Sequence, residues 1–451
     1  MRFEKNTKGL VLVMVLWVVV LLTIIVSSVS RSGLLNTKLC IATIDSVRCK
    51  WAARAGVETA MAILNVDLEE SDSPYDMWAY SPSDFNSVPV GNCLFNVVVS
   101  DESGKLNINT VTKQQLLMLP NMTEQIADAI LDWRDINDIP NGTGVESGYY
   151  IALPIGYKIR NGPFRTVREL LDVQGVTEEL LYGINYSRSG GNKNVGILDP
   201  FDDNPDYLWT AGWINYLTCY SFDNNLDPEG NAKININNAT QQVLTDTLGL
   251  SAEYANWIVQ TRSTRRFTNI ADLLATSTTT TTTTTTTQTG GQAAGPGGQT
   301  GQAGGQTGQA AQITGLDPAT FASIAEWITT SNAARTNGKI NINTAPRYVL
   351  EALLANIENG RQFADNIIFY RNSMPQGVTS IGELVSVMGM DTSSFRQIAN
   401  QIMVHSRVFT VRSFATAYRG QLLTAQLQCE AVVDRSTSPS QVLYWYQGQT
   451  N

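Results

Sequence analysis

Carboxylate and amide side chains are concentrated in one stretch of the sequence, "LDWRDINDIPNGTGVESGYY", at residues 131–150. Proline and glycine residues within this stretch indicate a loop, which can wrap oxygen atoms around a hard cation. Ca²⁺ takes about six to eight oxygen ligands in irregular geometry, which suits such a loop better than Mg²⁺ does. The pattern predicts a Ca²⁺ site with the ligands Asp132, Asp135, Asn137, Asp138 and Glu146. The alternative interpretation is a turn that carries solvated acids.

No residue pattern typical of an enzyme accompanies this loop. The sequence holds no GxSxG or GxxxxGK motif, and its one histidine is His405, so no pair of histidines can bind a metal. The cysteines form no CxxC pair, so they indicate neither a zinc site nor a redox compartment; they are Cys40, Cys49, Cys93, Cys219 and Cys429. A net charge of -9 disfavours a phosphate-binding surface. We therefore predict a non-enzymatic protein with no nucleic-acid partner.

Three segments of the sequence open alike: "GKLNINT" at 104–110, "AKININN" at 232–238 and "GKININT" at 338–344. Each is followed by two helical patterns, so the repeated unit reads as a pair of short helical hairpins. In an extended chain, alternate residues point to opposite sides, so Leu106 and Ile108 lie on one side and the two asparagines on the other. The last residue of the motif can cap the helix that follows. Similar openings occur in helix-hairpin-helix DNA-binding modules, but the Gly-hydrophobic-Gly element of those modules is missing from all three copies.

The second copy is interrupted at residues 276–312 by a low-complexity segment, which contains ten consecutive threonines at 278–287. The helical pattern of the copy resumes after this segment as "ITGLDPATFASIAEWI". So few apolar side chains cannot offset the entropy cost of ordering the chain. We therefore predict a disordered loop inside the second repeat.

An apolar segment at residues 10–29 follows a short basic stretch that contains Arg2, Lys5 and Lys8. About 20 apolar residues are enough to cross a bilayer as a helix. The preceding basic residues predict a cytoplasmic N-terminus and an exported remainder. The segment lacks an Ala-x-Ala-like cleavage site, so we expect it to be retained as an anchor. Helical spacing continues to about residue 66, which predicts one long helix.

Strand-like segments flank the repeats on both sides. One is "NCLFNVVVSD" at 92–101, and the others lie between residues 406 and 451. Strands so far apart in sequence suggest one sheet that is interrupted by a large insertion. The predicted fold class is α+β, with a long N-terminal helix packed on an antiparallel sheet and a large, mostly α-helical insertion made of repeated helical hairpins.

This order of features resembles the K-type minor pseudopilins of bacterial type II secretion systems, the general secretion pathway protein K family. The resemblance rests on the basic stretch ending at Lys8-Gly9, the apolar helix, "GKLNINT", "ILDWRDINDIPNGTGVESGYY" and "NGPFRTVRELLDVQGV" in the same order and spacing. It implies a pilin-like fold and a Ca²⁺ site in the acidic loop. The acidic run that the family carries before its paired tyrosines is reduced here to Glu146-Ser147-Gly148.

The resemblance also implies how the N-terminus is processed. A prepilin peptidase is expected to cleave between Gly9 and Leu10, after which Leu10 is N-methylated. Major pilin subunits carry glutamate at the fifth mature position, and counting from Leu10 that position is Met14. Met14 cannot accept the N-terminal amine of a neighbouring subunit, so we predict that this subunit lacks a partner on one side.

The expected role is that of a tip subunit of the periplasmic pseudopilus, which initiates or caps assembly for export across the outer membrane. The implied partners are the I- and J-type minor pseudopilins, the major pseudopilin, the prepilin peptidase and the inner-membrane secretion platform. The implied location is the bacterial inner membrane, with a single pass and a periplasmic bulk. The alternatives are an exported helix-hairpin-helix DNA-binding protein, as in competence, and a type IV pilus minor pilin.

These interpretations divide the chain as follows: a leader at 1–9, the transmembrane part of the helix at 10–30, a pilin-like α/β part at 31–104, the insertion at 105–405 and C-terminal strands at 406–451. Within the insertion the predicted repeats are 105–190, 233–330 and 339–405.

Overall fold

A computed structural model of the protein describes residues 7–67, 71–183, 211–275 and 313–448. Its α-helices are α1 Thr7–Val66, α2 Pro82–Phe85, α3 Lys113–Leu117, α4 Glu124–Arg134, α5 Ser147–Ile151, α6 Glu178–Tyr182, α7 Gln241–Asp246, α8 Ala252–Thr264, α9 Pro318–Ile324, α10 Arg347–Leu353, α11 Gly360–Ser373, α12 Glu383–Ser386 and α13 Thr392–Ile398. Short 3₁₀ helices span Val167–Asp172, Trp213–Asn215 and Ile270–Leu273.

The strands form one large sheet and several small sheets, each of which pairs two strands of two residues. They are β1 Val88–Val90, β2 Cys93–Asp101, β3 Leu106–Asn107, β4 Leu217–Thr218, β5 Phe222–Asp223, β6 Ile234–Asn235, β7 Ile328–Thr329, β8 Thr336–Asn337, β9 Ile340–Asn341, β10 Ile402–Met403, β11 Val408–Arg419, β12 Leu422–Asp434 and β13 Gln441–Gly448. The five-stranded sheet has the order β1-β2-β11-β12-β13, and all its neighbours are antiparallel.

The long helix α1 has two halves with different surroundings. Its N-terminal half is apolar and exposed, and among the described residues α1 is the one helix long and apolar enough to cross a membrane. Its C-terminal half packs on the sheet through buried small residues such as Ala52, Ala53 and Ala60. At Gly56 a Cβ atom would collide with Ser413 Oγ of β11, so the helix lies against the sheet too closely for any side chain there.

The sheet joins strands from both ends of the chain, as predicted. β2 buries alternate residues against α1 and pairs with β11, where Asp101 lies opposite Phe409. The core between them contains Trp78, whose ring centroid lies 4.9 Å from that of Phe409. The predicted fold class, a long helix on an antiparallel sheet with a large, mostly helical insertion, is confirmed.

The repeats form a second hydrophobic core, which runs from Leu106 to Val404. Each opening motif supplies a short strand that pairs in parallel with a strand after the second hairpin of its unit: β3 with β4, β6 with β7, and β9 with β10. The first two units begin their second hairpin with a 3₁₀ turn where the sequence predicted a helix, and the third begins it with α12. The two 3₁₀ segments are only six and four residues long, and i to i+3 bonds are common in such short pieces.

The chain on either side of the low-complexity segment comes together in the second unit. The amide of Ala275 donates to the carbonyl of Leu316 at 3.0 Å, and the amide of Leu316 donates to that of Leu273 at 2.7 Å. The predicted disorder of 276–312 lies outside the described residues.

Candidate functional site

The acidic loop connects helix α4 to helix α5. Asp128 and Asp132 lie four residues apart on α4, so they project from the same face of the helix. Both are buried, and the loop that follows folds back over this face before Glu146 leads into α5. The loop is thus held at both ends by helices of the first repeat.

Three of the five predicted ligands meet in this loop. Asp132, Asp135 and Glu146 each offer a carboxylate oxygen, and these oxygens lie within 4.8 Å of one another. Four oxygens are buried and have no hydrogen-bond donor among the described residues: Asp132 Oδ2, Asp135 Oδ1 and both carboxylate oxygens of Glu146. Buried carboxylates that face one another without a donor are costly unless a cation pairs with them. Oxygen ligands are the hard donors that Ca²⁺ prefers.

The other carboxylate oxygens hold the loop in place. Asp132 Oδ1 accepts hydrogen bonds from the amide of Asn141 at 2.8 Å and from its side chain at 2.7 Å. The same side chain lies 3.2 Å from Asp135 Oδ2. A Cβ atom at Gly144 would collide with Asp132 Oδ2, so only glycine lets the backbone pass this carboxylate.

The two remaining predicted ligands take different positions. Asp138 Oδ1 accepts a hydrogen bond from the amide of Ser147 at 3.2 Å, at the start of α5. Asn137 Oδ1 accepts one from the amide of Ile139 at 2.8 Å, which is the local bond of an Asx turn. Their roles as ligands stay a prediction.

The electrostatics of the loop follow from its crowded acids. Burial, together with the nearby charges of Asp132, Asp135 and Asp138, raises the pKa of Glu146 to about 7. Burial also raises the pKa of Asp132, against the hydrogen bonds from Asn141. Without a cation, therefore, Glu146 holds a proton more tightly than an ordinary glutamate does.

Asp128 is a structural residue of the loop that the sequence did not single out. Its Oδ2 accepts hydrogen bonds from the amide of Thr143 at 2.9 Å and from the hydroxyl at 3.1 Å. Its Oδ1 lies 2.7 Å from Lys113 Nζ. The available signal was its position one helical turn before Asp132.

The asparagines of the opening motifs join the two hairpins of each repeat. The second asparagine of each motif accepts a hydrogen bond from a backbone amide of the second hairpin and donates one back to the carbonyl of the same residue. The pairs are Asn109 with Phe164, Asn237 with Phe267 and Asn343 with Val378, at 2.7–3.0 Å. The first asparagine closes an Asx turn onto the amide two residues later in all three copies.

An arginine near the end of each first hairpin completes this framework. Arg134 donates to the carbonyls of Ile108 and Val111, Arg262 to that of Ile236, and Arg371 to those of Ile342 and Ala345. Each guanidinium thus satisfies carbonyls in or just after the opening motif that have no ladder partner among the described strands. The sequence reasoning missed these arginines.

The predicted processing and assembly residues all lie in α1. Gly9 belongs to its first turn, while Leu10 and Met14 are exposed on the apolar half. The first six residues lie outside the described part of the chain. Cleavage, methylation and the role of Met14 stay predictions.

Comparison with known proteins gives concordant matches. Residues 94–184, which include the acidic loop, match the family model for type II secretion system protein K. The type II secretion system protein K of Klebsiella pneumoniae is 23% identical over 200 residues, which are 39% of this chain and 60% of that protein. The protein of the same name from Pectobacterium carotovorum subsp. carotovorum is 29% identical over 100 residues, 21% of this chain and 30% of that protein. The match thus spans less than two thirds of the length of either relative.

Among solved structures, the GspK-GspI-GspJ complex of the enterotoxigenic Escherichia coli type 2 secretion system is similar. The alignment covers 89% of this chain and 96% of the matched chain, with 14% sequence identity and a TM-score of 0.45. The family match over the first repeat, together with the two relatives, confirms the resemblance that the sequence motifs indicated.

Proposed function

We propose that this chain, which carries the type II secretion system protein K domain at residues 94–184, is a non-enzymatic minor pseudopilin at the tip of the pseudopilus. The observation that carries the proposal is this family match in a chain whose helix α1 begins with an exposed apolar segment able to cross a membrane. The tip subunit initiates or caps the filament that serves protein export across the outer membrane. Residues after the anchor lie in the periplasm.

The apolar half of α1 supports this position in the filament. A charged group in an apolar environment is costly, so the N-terminal amine of one subunit needs an acidic partner on its neighbour. Met14 offers a thioether in place of a carboxylate, and it is exposed on α1. A subunit without this acid cannot receive the amine of a following subunit, which fits the first subunit at a tip.

We expect the mature protein to begin at an N-methylated Leu10. Mass spectrometry of the full chain extracted from membranes with an active prepilin peptidase measures this directly. Gly9→Ala is expected to keep Met1, whereas Gly33→Ala, a change in the same helix at a position with open space around it, is expected to leave the processing intact. An intact Met1 in the unchanged protein contradicts the proposal.

The partners that we propose are the I- and J-type minor pseudopilins, the major pseudopilin and the secretion platform. In the enterotoxigenic Escherichia coli complex, GspK assembles with GspI and GspJ. Co-purification from the same membrane extract decides this part of the proposal. Recovery of the processed chain alone, from cells that also produce I- and J-type subunits, counts against it.

We further propose that the acidic loop binds Ca²⁺ through Asp132, Asp135 and Glu146. The support is the set of buried carboxylate oxygens that lie close together without a donor among the described residues. Asp138 lies at the edge of this group, beside the start of α5. The bound ion supplies positive charge to the loop and fixes its path between α4 and α5.

Removing Ca²⁺ is expected to lower the melting temperature of the solubilised full chain by several degrees. At a Ca²⁺ concentration about 100-fold above Kd, binding adds about 2.7 kcal/mol to the free energy of unfolding. Thermal melts with Ca²⁺ and with a chelator measure the difference. Glu146→Gln and Gly144→Ala are expected to abolish it, because one removes a ligand and the other pushes a methyl group into Asp132. Gly148→Ala is the matched control, since nothing lies within 4 Å of that position.

The Ca²⁺ affinity of the loop, measured by titrating the full chain with Ca²⁺, is expected to depend on pH. Because the pKa of Glu146 is about 7 in the metal-free loop, the proton must leave before the cation binds. The Ca²⁺ affinity should therefore be constant above about pH 8 and fall as the pH drops below 7, by at most about tenfold per unit for one proton. An affinity that does not change between pH 8 and pH 6, or a control variant that behaves like Glu146→Gln, contradicts this assignment.

A further inference from the structure

Two cysteines face each other where helix α1 meets the sheet. Cys49 of α1 and Cys93 of β2 have their Sγ atoms 3.9 Å apart, and their side chains are 0% and 1% exposed. They are separated by 44 residues in the sequence. The spacing of cysteines along the chain could not reveal this pair, because it depends on how the helix lies across the first long strand.

Small residues lie beside the two sulfur atoms on the sheet. Cys93 lies opposite Ala417, which in turn lies opposite Ala425, so alanines continue this row of the sheet. Cys49 Sγ lies 3.6 Å from the carbonyl of Ala425. Cys93 is also the first residue of its strand, directly after the turn at Gly91, whose φ is +61°. A disulfide needs the sulfur atoms about 2.0 Å apart, and the end of a strand beside small residues can make that adjustment.

The pair does not resemble a metal site. Asp45 is the acid whose charge acts on Cys49, and it is already engaged by Arg419 at 2.9 Å and by Thr424 at 2.8 Å. Apolar residues of α1 and β2, including Ala52 and Phe95, belong to the same core as the two cysteines. Two thiols to which the described part of the chain adds no further metal ligand suit a covalent bond to each other and do not suit a tetrahedral ion.

We propose that Cys49 and Cys93 form a disulfide bond in the exported protein. This inference rests on the proposed function, because the bond persists only in an oxidising compartment such as the periplasm. The oxidant is the disulfide of a thiol–disulfide exchange protein. The two cysteines give up two protons and two electrons as their S–S bond forms, and the S–S bond of the oxidant breaks to give two thiols.

The bond must form before the core closes over the thiols. Burial, together with the neighbouring Cys93, raises the pKa of Cys49 to about 12. The thiolate is the reactive species, so the folded, reduced pair exchanges slowly. Once formed, the bond joins helix α1 to strand β2. It thereby adds a second covalent connection between α1 and the sheet, besides the main chain.

Thiol counting on the full chain tests the bond. Cells that export the protein are quenched with acid, and the denatured protein is labelled with a mass-tagged maleimide before and after reduction. Of the five cysteines, three are expected to react before reduction and five after it. The Cys49→Ser and Cys93→Ser variants should each show four reactive thiols both before and after reduction. Cys429→Ser is the matched control, because Cys429 is buried in the same core, and it should show two before reduction and four after it.

A second measurement separates this inference from the proposed function. The purified full chain is unfolded, reduced and refolded in a glutathione redox buffer, and the linked peptides are identified by mass spectrometry. A Cys49–Cys93 link formed in the buffer supports the pairing, and if the protein from cells is nevertheless reduced, that result contradicts export of this segment. Five reactive thiols before reduction, both in the protein from cells and in the refolded protein, would overturn the disulfide. A link that joins other cysteines would overturn it as well. Neither result affects the test of N-terminal processing.

Discussion

Replacing Arg371 with methionine is expected to lower the free energy of unfolding of the helical part by about 2–6 kcal/mol. Arg371 is 1% exposed at the end of α11, and its Nη1 donates to the carbonyls of Ile342 at 3.0 Å and Ala345 at 2.7 Å. Methionine has a similar length but no donor, so both carbonyls would be buried without this partner. An unpaired buried polar group costs about 1–3 kcal/mol, and two are affected here.

Urea titration of the solubilised full chain, followed by tryptophan fluorescence, measures this loss. Arg361→Met is the matched control, because Arg361 lies on the same helix with its side chain 79% exposed and only a 3.9 Å ion pair to Glu351. It is expected to change the free energy by less than about 1 kcal/mol. Arg371→Lys should restore part of the loss, since the ammonium can still donate to a carbonyl. Equal midpoints for Arg371→Met and Arg361→Met would contradict the role of this arginine.

The repeated arginines show which features of the repeats were readable in the sequence. The opening motifs were found because their residues are contiguous and recur with the same spacing. The arginines lie 26 residues after their carbonyl partners in the first two copies, as in the pairs Arg134–Ile108 and Arg262–Ile236. In the third copy the corresponding separation, Arg371 to Ile342, is 29 residues, because the first hairpin is longer. An interaction whose sequence separation changes between copies is not visible as a period.

In the acidic loop, too, some features could be predicted from the sequence and others could not. Its composition predicted a cation site, and Asp132, Asp135 and Glu146 do lie together. Composition could not separate these from Asn137, whose side chain closes a local turn, because both residue types occur in turns and in metal sites. The anchoring role of Asp128 depends on the path of the loop back over α4, which brings Thr143 to it. That path is a tertiary feature, which the spacing of Asp128 and Asp132 on α4 does not reveal.

The sheet was predictable in outline because alternating apolar residues mark a strand wherever it lies in the sequence. The order of the strands and the register of their pairing could not be predicted. β2 and β11 are separated by the whole helical insertion, and their pairing is set by burial against α1 and by the entry and exit of the insertion. The same long-range packing brought Cys49 within reach of Cys93.

The junction between the two cores is formed by a buried arginine. Arg435, which follows β12, donates from Nε to the carbonyl of Ser406 at 3.0 Å and from Nη1 to Asp67 at 2.8 Å. Its Nη2 lies 2.7 Å from both carboxylate oxygens of Asp72, a residue that is completely buried. The backbone amide of Asp72 donates in turn to the carbonyl of Val404, the last buried residue of the helical core. The guanidinium therefore joins the C-terminal strands, the segment after α1 and the end of the third repeat.

The pKa of Asp72 shows how strongly this junction depends on the cation. Burial raises it to about 7 even though Arg435 acts to lower it. An acid whose pKa is higher in the folded state than in the unfolded state binds protons more tightly when folded. Its contribution to stability is therefore fully present below about pH 4, the ordinary value for aspartate, and is lost as the pH rises through 7. Without the guanidinium, the pKa of Asp72 should rise further.

Arg435→Met is expected to lower the free energy of unfolding at pH 8 by about 3–5 kcal/mol, because it leaves Asp72 buried without its cation. At pH 5 the loss should be smaller, since Asp72 then takes up a proton and no longer needs a charged partner. Adding Asp72→Asn to the variant should recover part of the loss at pH 8. The matched control is Arg419→Met, because Arg419 forms a similar pair with Asp45 but its side chain is 48% exposed. Urea titrations at the two pH values measure all four proteins, and a loss from Arg435→Met that is equal at pH 5 and pH 8 would show that the uncompensated charge of Asp72 is not its cause.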